Sequence, residues 1–164
     1  MYSQEVFIYR TGDRILYPMH GAGIIRQIKS CEILGEVKEY YIMRVPCGDM
    51  EVMIPVDSSD DIGVRPVGTK EEIDEAISVL GLDSTEMNKN WNKRYRENTE
   101  KIKTGNINMV AEIVRNLTRI DRENKLSAGE KKMLSNTRKI LQSEIMLVLD
   151  ISEEEALDLI EGAI

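Results

Sequence analysis

At Val67-Gly68 the hydrophobic pattern changes period, and no other feature constrains the fold as strongly. Upstream, apolar residues come in short runs rich in Ile, Val and Tyr: DRILYP (Asp13–Pro18), GIIRQIK (Gly23–Lys29), EYYIMRV (Glu39–Val45) and MEVMIP (Met50–Pro55). Gly, Pro and Asp punctuate them in MHGAG, LGE and PCGD. Runs of this length and spacing predict β-strands separated by turns. ILGEVKEYY reads as two strands joined near Gly35, and VPCGDMEV as a second hairpin with Gly48-Asp49 in its bend. Four or five such strands suit a small barrel of SH3 or Tudor type better than a sandwich.

Downstream, apolar residues recur at helical spacing. TKEEIDEAISVL opens with Thr69 as N-cap and Glu72 three residues on, a capping box, and Gly81 follows as a stop. A second helix is expected from about Asn88 to Lys103, ending at Gly105, and a third from Asn106. The third places Val110, Ile113, Val114, Leu117 and Ile120 on one face. Ser127 and Glu130 cap a fourth helix, whose Met133, Leu134, Ile140, Leu141, Ile145 and Val148 point inward; Ser152 and Glu155 cap a short fifth. The expected fold is therefore α+β: a Tudor/SH3-like β-barrel over residues 1–67, then an all-α helical bundle over 68–164. No apolar run approaches the roughly 20 residues of a membrane span, and the N-terminus lacks the pattern of a signal peptide. Together with two cysteines, too few for a disulfide framework, these features predict a soluble cytoplasmic protein with reduced thiols.

Catalytic constellations are hard to assemble. The lone histidine, His20, lies beside glycines and reads as a turn residue, and neither Cys31 nor Cys47 has a second histidine to activate it. HGAG lacks the spacing of a phosphate loop. The pairs Asp60-Asp61 and Glu71-Glu72 lack partners for metal binding or glycoside chemistry and read as solvated or helix N-terminal charge. A non-enzyme without metal or cofactor is expected.

The formal net charge of −7 argues against a nucleic-acid partner, but its distribution argues the other way. Lys89–Lys139 holds fourteen cations against six acids, and no cation follows Lys139. The single tryptophan, Trp91, stands inside this block, in NWNKRYREN. On a helix, Arg94 and Tyr95 follow it on the same side, with Lys93 and Arg96 flanking. Two readings stay open on these residues alone. Trp91 packs into the helical core among ordinary solvated cations, or its ring projects as a wedge beside cations that hold phosphates. LSAGEKKML is similarly divided between a plain capped helix start and a phosphate clamp built from free backbone N–H groups with Lys131 and Lys132.

NWNKRYRENTEKIKTGNINMVAEIVRNLTRIDRENKLSAGEKKML closely resembles the C-terminal domain of the CarD/CdnL family of bacterial transcription regulators. GDRILYPMHGAGII, GEVKEYYIMRV and GDMEVMIP resemble that family's other half, which is similar to the RNA-polymerase-interacting domain of transcription-repair coupling factor. The resemblance runs from about Thr11 to Leu149 and leaves MYSQEVFIY and the acidic tail without a role. It implies that the first module binds the RNA polymerase β subunit by adding a strand edge. It also implies that the second module contacts promoter DNA in the minor groove at the upstream edge of the melted −10 region, as on ribosomal RNA promoters, which would place the protein at the nucleoid. The family's tryptophan matches Trp91, and its phosphate contacts match Lys93, Arg96 and Lys131; Arg94, Tyr95 and Lys132 are added by position. Positions where family members use arginine against the β lobe correspond to Cys31 and Met53, and Met50, Val52 and Met53 offer an apolar edge. A monomer is expected. A protein-binding adaptor and a stand-alone architectural DNA-binding protein are the rival readings.

Overall fold

The structure, a computed structural model, describes residues 8–164. Its first strands are β1 (Arg14–Tyr17), β2 (Gly21–Ile33), β3 (Glu36–Val45) and β4 (Met50–Pro55). Each pairs antiparallel with the next, and both expected hairpins form. Leu34 and Gly35 turn the first with φ of 53° and 80°, and Gly48 and Asp49 bend the second with φ of 81° and 51°. In the two-residue first loop, positive φ at both central positions matches the right-handed twist of paired strands. A four-residue helix, α1 (Ser59–Ile62), and a two-residue strand, β5 (Arg65–Pro66), complete the module. Asp60 and Asp61 lie in the first turn of α1, the favourable end of its dipole.

The sheet order is β4-β3-β2-β1-β5, so the expected barrel is not closed: β4 and β5 end the sheet and do not pair. The reason is local, since β5 has two residues and Pro66 has no N–H to donate. Curvature comes instead from β2, longer than its apolar run suggested, with a bulge between Ile25 and Gln27. Ile25, Tyr41, Met43 and Ile54 alternate onto one face and form a core with Tyr9, Ile15 and Val64. The described end of the N-terminal segment closes that core. Ile8 and Tyr9 donate their N–H groups to the Tyr41 hydroxyl at 3.1 and 3.2 Å, and the Tyr9 hydroxyl donates to Val64 O at 3.1 Å. His20 sits in the turn after β1, its ring tilted against Tyr17 at 4.2 Å, and burial lowers its pKa.

The helices are α2 (Lys70–Leu80), α3 (Trp91–Lys103), α4 (Ile107–Arg122), α5 (Ala128–Leu149) and α6 (Glu153–Ala163). All three expected capping boxes are present, at Thr69/Glu72, Ser127/Glu130 and Ser152/Glu155. Asn90 and Asn106 cap α3 and α4, each accepting from two backbone N–H groups. The start of α3 lies three residues beyond the expected one because Asn88 accepts the Asn90 N–H at 2.9 Å, a local turn that competes with helix. The second core joins Ile73, Leu80, Val114, Leu117, Leu141 and Ile145 to Ala156 and Ile160 of α6, so the acidic tail is a packed helix. Leu16 of β1 and Ala22 of β2 belong to this same core. Among the described residues, no helix is long and apolar enough to cross a membrane.

Candidate nucleic-acid and partner interfaces

On α3, Trp91, Arg94, Tyr95, Asn98 and Ile102 fall at i, i+3, i+4, i+7 and i+11, one stripe of the helix. Asn98 and Ile102 are buried, whereas Tyr95 is 39% and Trp91 50% exposed. Trp91 thus continues the core-facing stripe at the end where burial runs out, and half of the indole faces solvent. Lys93 and Arg96, three apart on the opposite side of the helix, are both exposed.

Arg94 has a different task from the phosphate contact expected of it. Its Nε donates to Glu130 Oε1 at 2.6 Å, and the two side chains are 13% and 1% exposed. The other Glu130 oxygen accepts the Ser127 N–H at 3.1 Å, while Ser127 Oγ accepts the Glu130 N–H at 3.2 Å. Burial alone would raise the Glu130 pKa, but the hydrogen bonds from Arg94 and Ser127 outweigh it and hold the carboxyl below its ordinary range. One glutamate therefore caps α5 and ties it to the first turn of α3. Gly129 lies against Tyr95, where an added Cβ would stand 3.9 Å from Cε2. Lys131 and Lys132 are exposed in the first turns of α5, directly after the Glu130 that holds Arg94. Lys132 and Tyr95 line one groove of about 210 Å³ together with Met19, Thr99, Ile102 and Met133.

The segment leading into Trp91 is held by residues that sequence reasoning counted only as charge. Arg115, buried in α4, donates to Val79 O at 2.9 Å, Asn116 Oδ1 at 3.0 Å and Thr85 Oγ1 at 3.4 Å. Arg119 donates to Leu82 O and Ser84 Oγ at 2.8 and 2.9 Å. Arg94 and Arg115 are thus two cations of the basic block whose charge is spent inside. Helical periodicity carries no signal for Arg115, which lies off the apolar face of α4; Arg94 lies on the buried stripe of α3, but its partner is on another helix.

The sheet candidates divide between two faces. β4 is an end strand. Val52 opposes Met43 on the inner face and packs on the strand core, and Met50 opposes Val45 on the same side but stays exposed. Met53 opposes Ile42 and Cys31 opposes Lys38; Ile42 and Lys38 are four apart on β3, so Met53 and Cys31 share the outer face. Met53 is exposed and Cys31 half-buried.

A family model described as the CarD-like/TRCF RID domain matches residues 9–68, and one described as the CarD C-terminal domain matches residues 75–161. The chain belongs to the CarD family. Within it, the protein named "Putative transcription factor YdeB" of Bacillus subtilis (strain 168) is 39% identical over 148 residues, covering 90% of this chain and 97% of that protein. The CarD C-terminal match reaches residue 161, past Leu149 where the resemblance was expected to stop, and so takes in α6.

Proposed function

We propose that this CarD-family chain is a non-enzymatic transcription regulator that binds the RNA polymerase β subunit through its sheet and stabilises the open promoter complex through its helices. The observation that carries the reading is the half-exposed Trp91, set at the end of a helix whose first turn is locked to the start of α5 by Arg94 and Glu130. A ring held that way is a wedge for the minor groove at the upstream edge of the bubble, and inserting it resists reannealing. Lys93, Arg96, Lys131 and Lys132 are exposed and supply phosphate contacts on either side. Tyr95 supports the indole from the next turn, and Arg94 positions α3 without touching DNA. On the sheet, Met53 and the end strand β4 offer backbone groups and an apolar outer face to the polymerase, with Cys31 farther along that face.

No sequence-reading helix is needed, because polymerase supplies the promoter address. Tethering also explains how a protein of net charge −7 acts on DNA, since it raises local concentration without any gain in intrinsic affinity. Lys93→Ala/Lys131→Ala tests the phosphate contacts in a footprint of the polymerase–promoter complex. The double variant should bind polymerase as the parent does but lose protection of the upstream bubble edge, with the deficit from the parent widest at low salt and narrowing as salt rises. Equal protection at all salt concentrations would contradict the assigned face and favour the protein-binding adaptor.

A further inference from the structure

Four residues within two turns of α5 reach the strand module, each through a polar group. Gln142 Oε1 lies 3.6 Å from Cys47 Sγ, whose thiol pKa is pushed up to about 11 by burial and by Glu153. Ser143 Oγ accepts the Ala22 N–H at 2.8 Å. Glu144 pairs with Arg65, and Leu147 O accepts from Arg14 Nη1. Gly21, at φ +114°, leaves room for this seam: a Cβ there would stand 2.9 Å from Ser143 Oγ.

The Arg65–Glu144 pair is its centre. Arg65 makes two parallel bonds to the carboxylate, Nη1 to Oε2 and Nη2 to Oε1, both 2.8 Å. Its Nε and Nη2 also donate to Gly105 O at 3.0 and 2.8 Å, and Nη1 to Pro66 O at 2.9 Å. All five donors of the guanidinium therefore have acceptors. Glu144 is 2% exposed, and its Oε2 also accepts the Gly68 N–H at 3.2 Å. One ion pair thus joins β5, the turn between α3 and α4, α5 and the entry to α2. A buried pair of this kind contributes little net stability compared with a well-packed apolar replacement, because desolvation offsets the attraction. What it supplies is a single permitted geometry, since any sliding of sheet against helices leaves a buried charge unpaired.

We propose that Arg65 and Glu144 are positioning residues that lock the strand and helical modules into one rigid body, fixing the reach from the β4 edge to Trp91. The part concerning Trp91 rests on the function proposed above; the rigid docking does not. With polymerase at one end and DNA at the other, a fixed reach is what converts tethering into insertion at one place on the promoter.

The test uses the full chain with Cys31→Ser and spin labels at Lys29→Cys and Arg122→Cys, with and without Arg65→Met/Glu144→Leu. Inter-label distances are measured on the labelled chains, and thermal melting, polymerase affinity and open-complex lifetime on the unlabelled chains with Lys29 and Cys31 intact, because both lie on the face assigned to polymerase. The unaltered seam should give one narrow distance. The apolar pair should keep melting temperature and polymerase affinity, spread the distance over several values, and shorten the lifetime by at least about fivefold, the lower end of measured couplings between sites. Glu144→Gln, which keeps shape and removes charge, serves if the double variant fails to fold. A broad distance in the parent, an unchanged narrow distance in the variants, or a spread distance with unchanged lifetime would each overturn the proposal. If even the parent fails to lengthen the lifetime, the function reading fails, and the distances still decide the docking.

Discussion

Glu130 uses one carboxylate oxygen to cap α5 and the other to hold Arg94, so two features that look separate in the sequence depend on one side chain. Arg94→Ala would strand that carboxylate in a site where it is 1% exposed. The expected loss is about 3–5 kcal/mol, the usual cost of removing one partner from a buried pair, read from urea unfolding at neutral pH. The pH dependence has a definite sign. A carboxyl whose pKa is lowered on folding adds stability above its unfolded-state value, and that contribution is lost as pH falls through the folded value. Carbon-detected titration of the Glu130 carboxyl should therefore place it below the ordinary glutamate range. In Arg94→Gln, burial is opposed less and the titration should move upward. A titration unmoved by the substitution would show that Arg94 is not what holds the proton off.

Among the elements, the β2–β3 hairpin carries the tightest backbone constraint. A Cβ at Gly23 would stand 2.5 Å from both Arg44 O and Met43 Cγ, so Gly23→Ala must push the two strands apart. A loss of about 1–3 kcal/mol is expected from overpacking, with amide exchange accelerated along β2 and β3; a neutral effect would mean that the strands can separate there at no cost. The hairpins and the three capping boxes were legible in the sequence because each depends on residues within a few positions of one another. Glycine supplies positive φ where Gly35 and Gly48 need it, and Ser or Thr with Glu three residues on closes a helix start. Closure of the barrel was not legible, since it turns on whether two strands distant in sequence can pair, and Pro66 in a two-residue strand prevents it. The inward task of Arg94 was hidden for a related reason. Its position on α3 was readable, but its partner lies 36 residues away on another helix. Trp91 stood between two readings because it shares a stripe with buried Asn98 and Ile102 while lying at the exposed end of that stripe.

At the scale of the whole molecule, the two modules share a core through Leu16 and Ala22 and a polar seam along α5, so an overall charge of −7 coexists with a cationic end at the starts of α3 and α5. In the proposed function such a molecule acts on DNA at a place chosen by its partner, and the wedge is the point where that arrangement either works or fails. The most direct measurement is the lifetime of the open complex on a ribosomal RNA promoter, with cognate polymerase alone, with the intact protein, and with Trp91→Ala. The intact protein should lengthen the lifetime and Trp91→Ala should remove most of the gain, by roughly 1–3 kcal/mol if the indole stacks on a base, while binding polymerase equally well. No lengthening by the intact protein at concentrations that saturate polymerase would contradict the account.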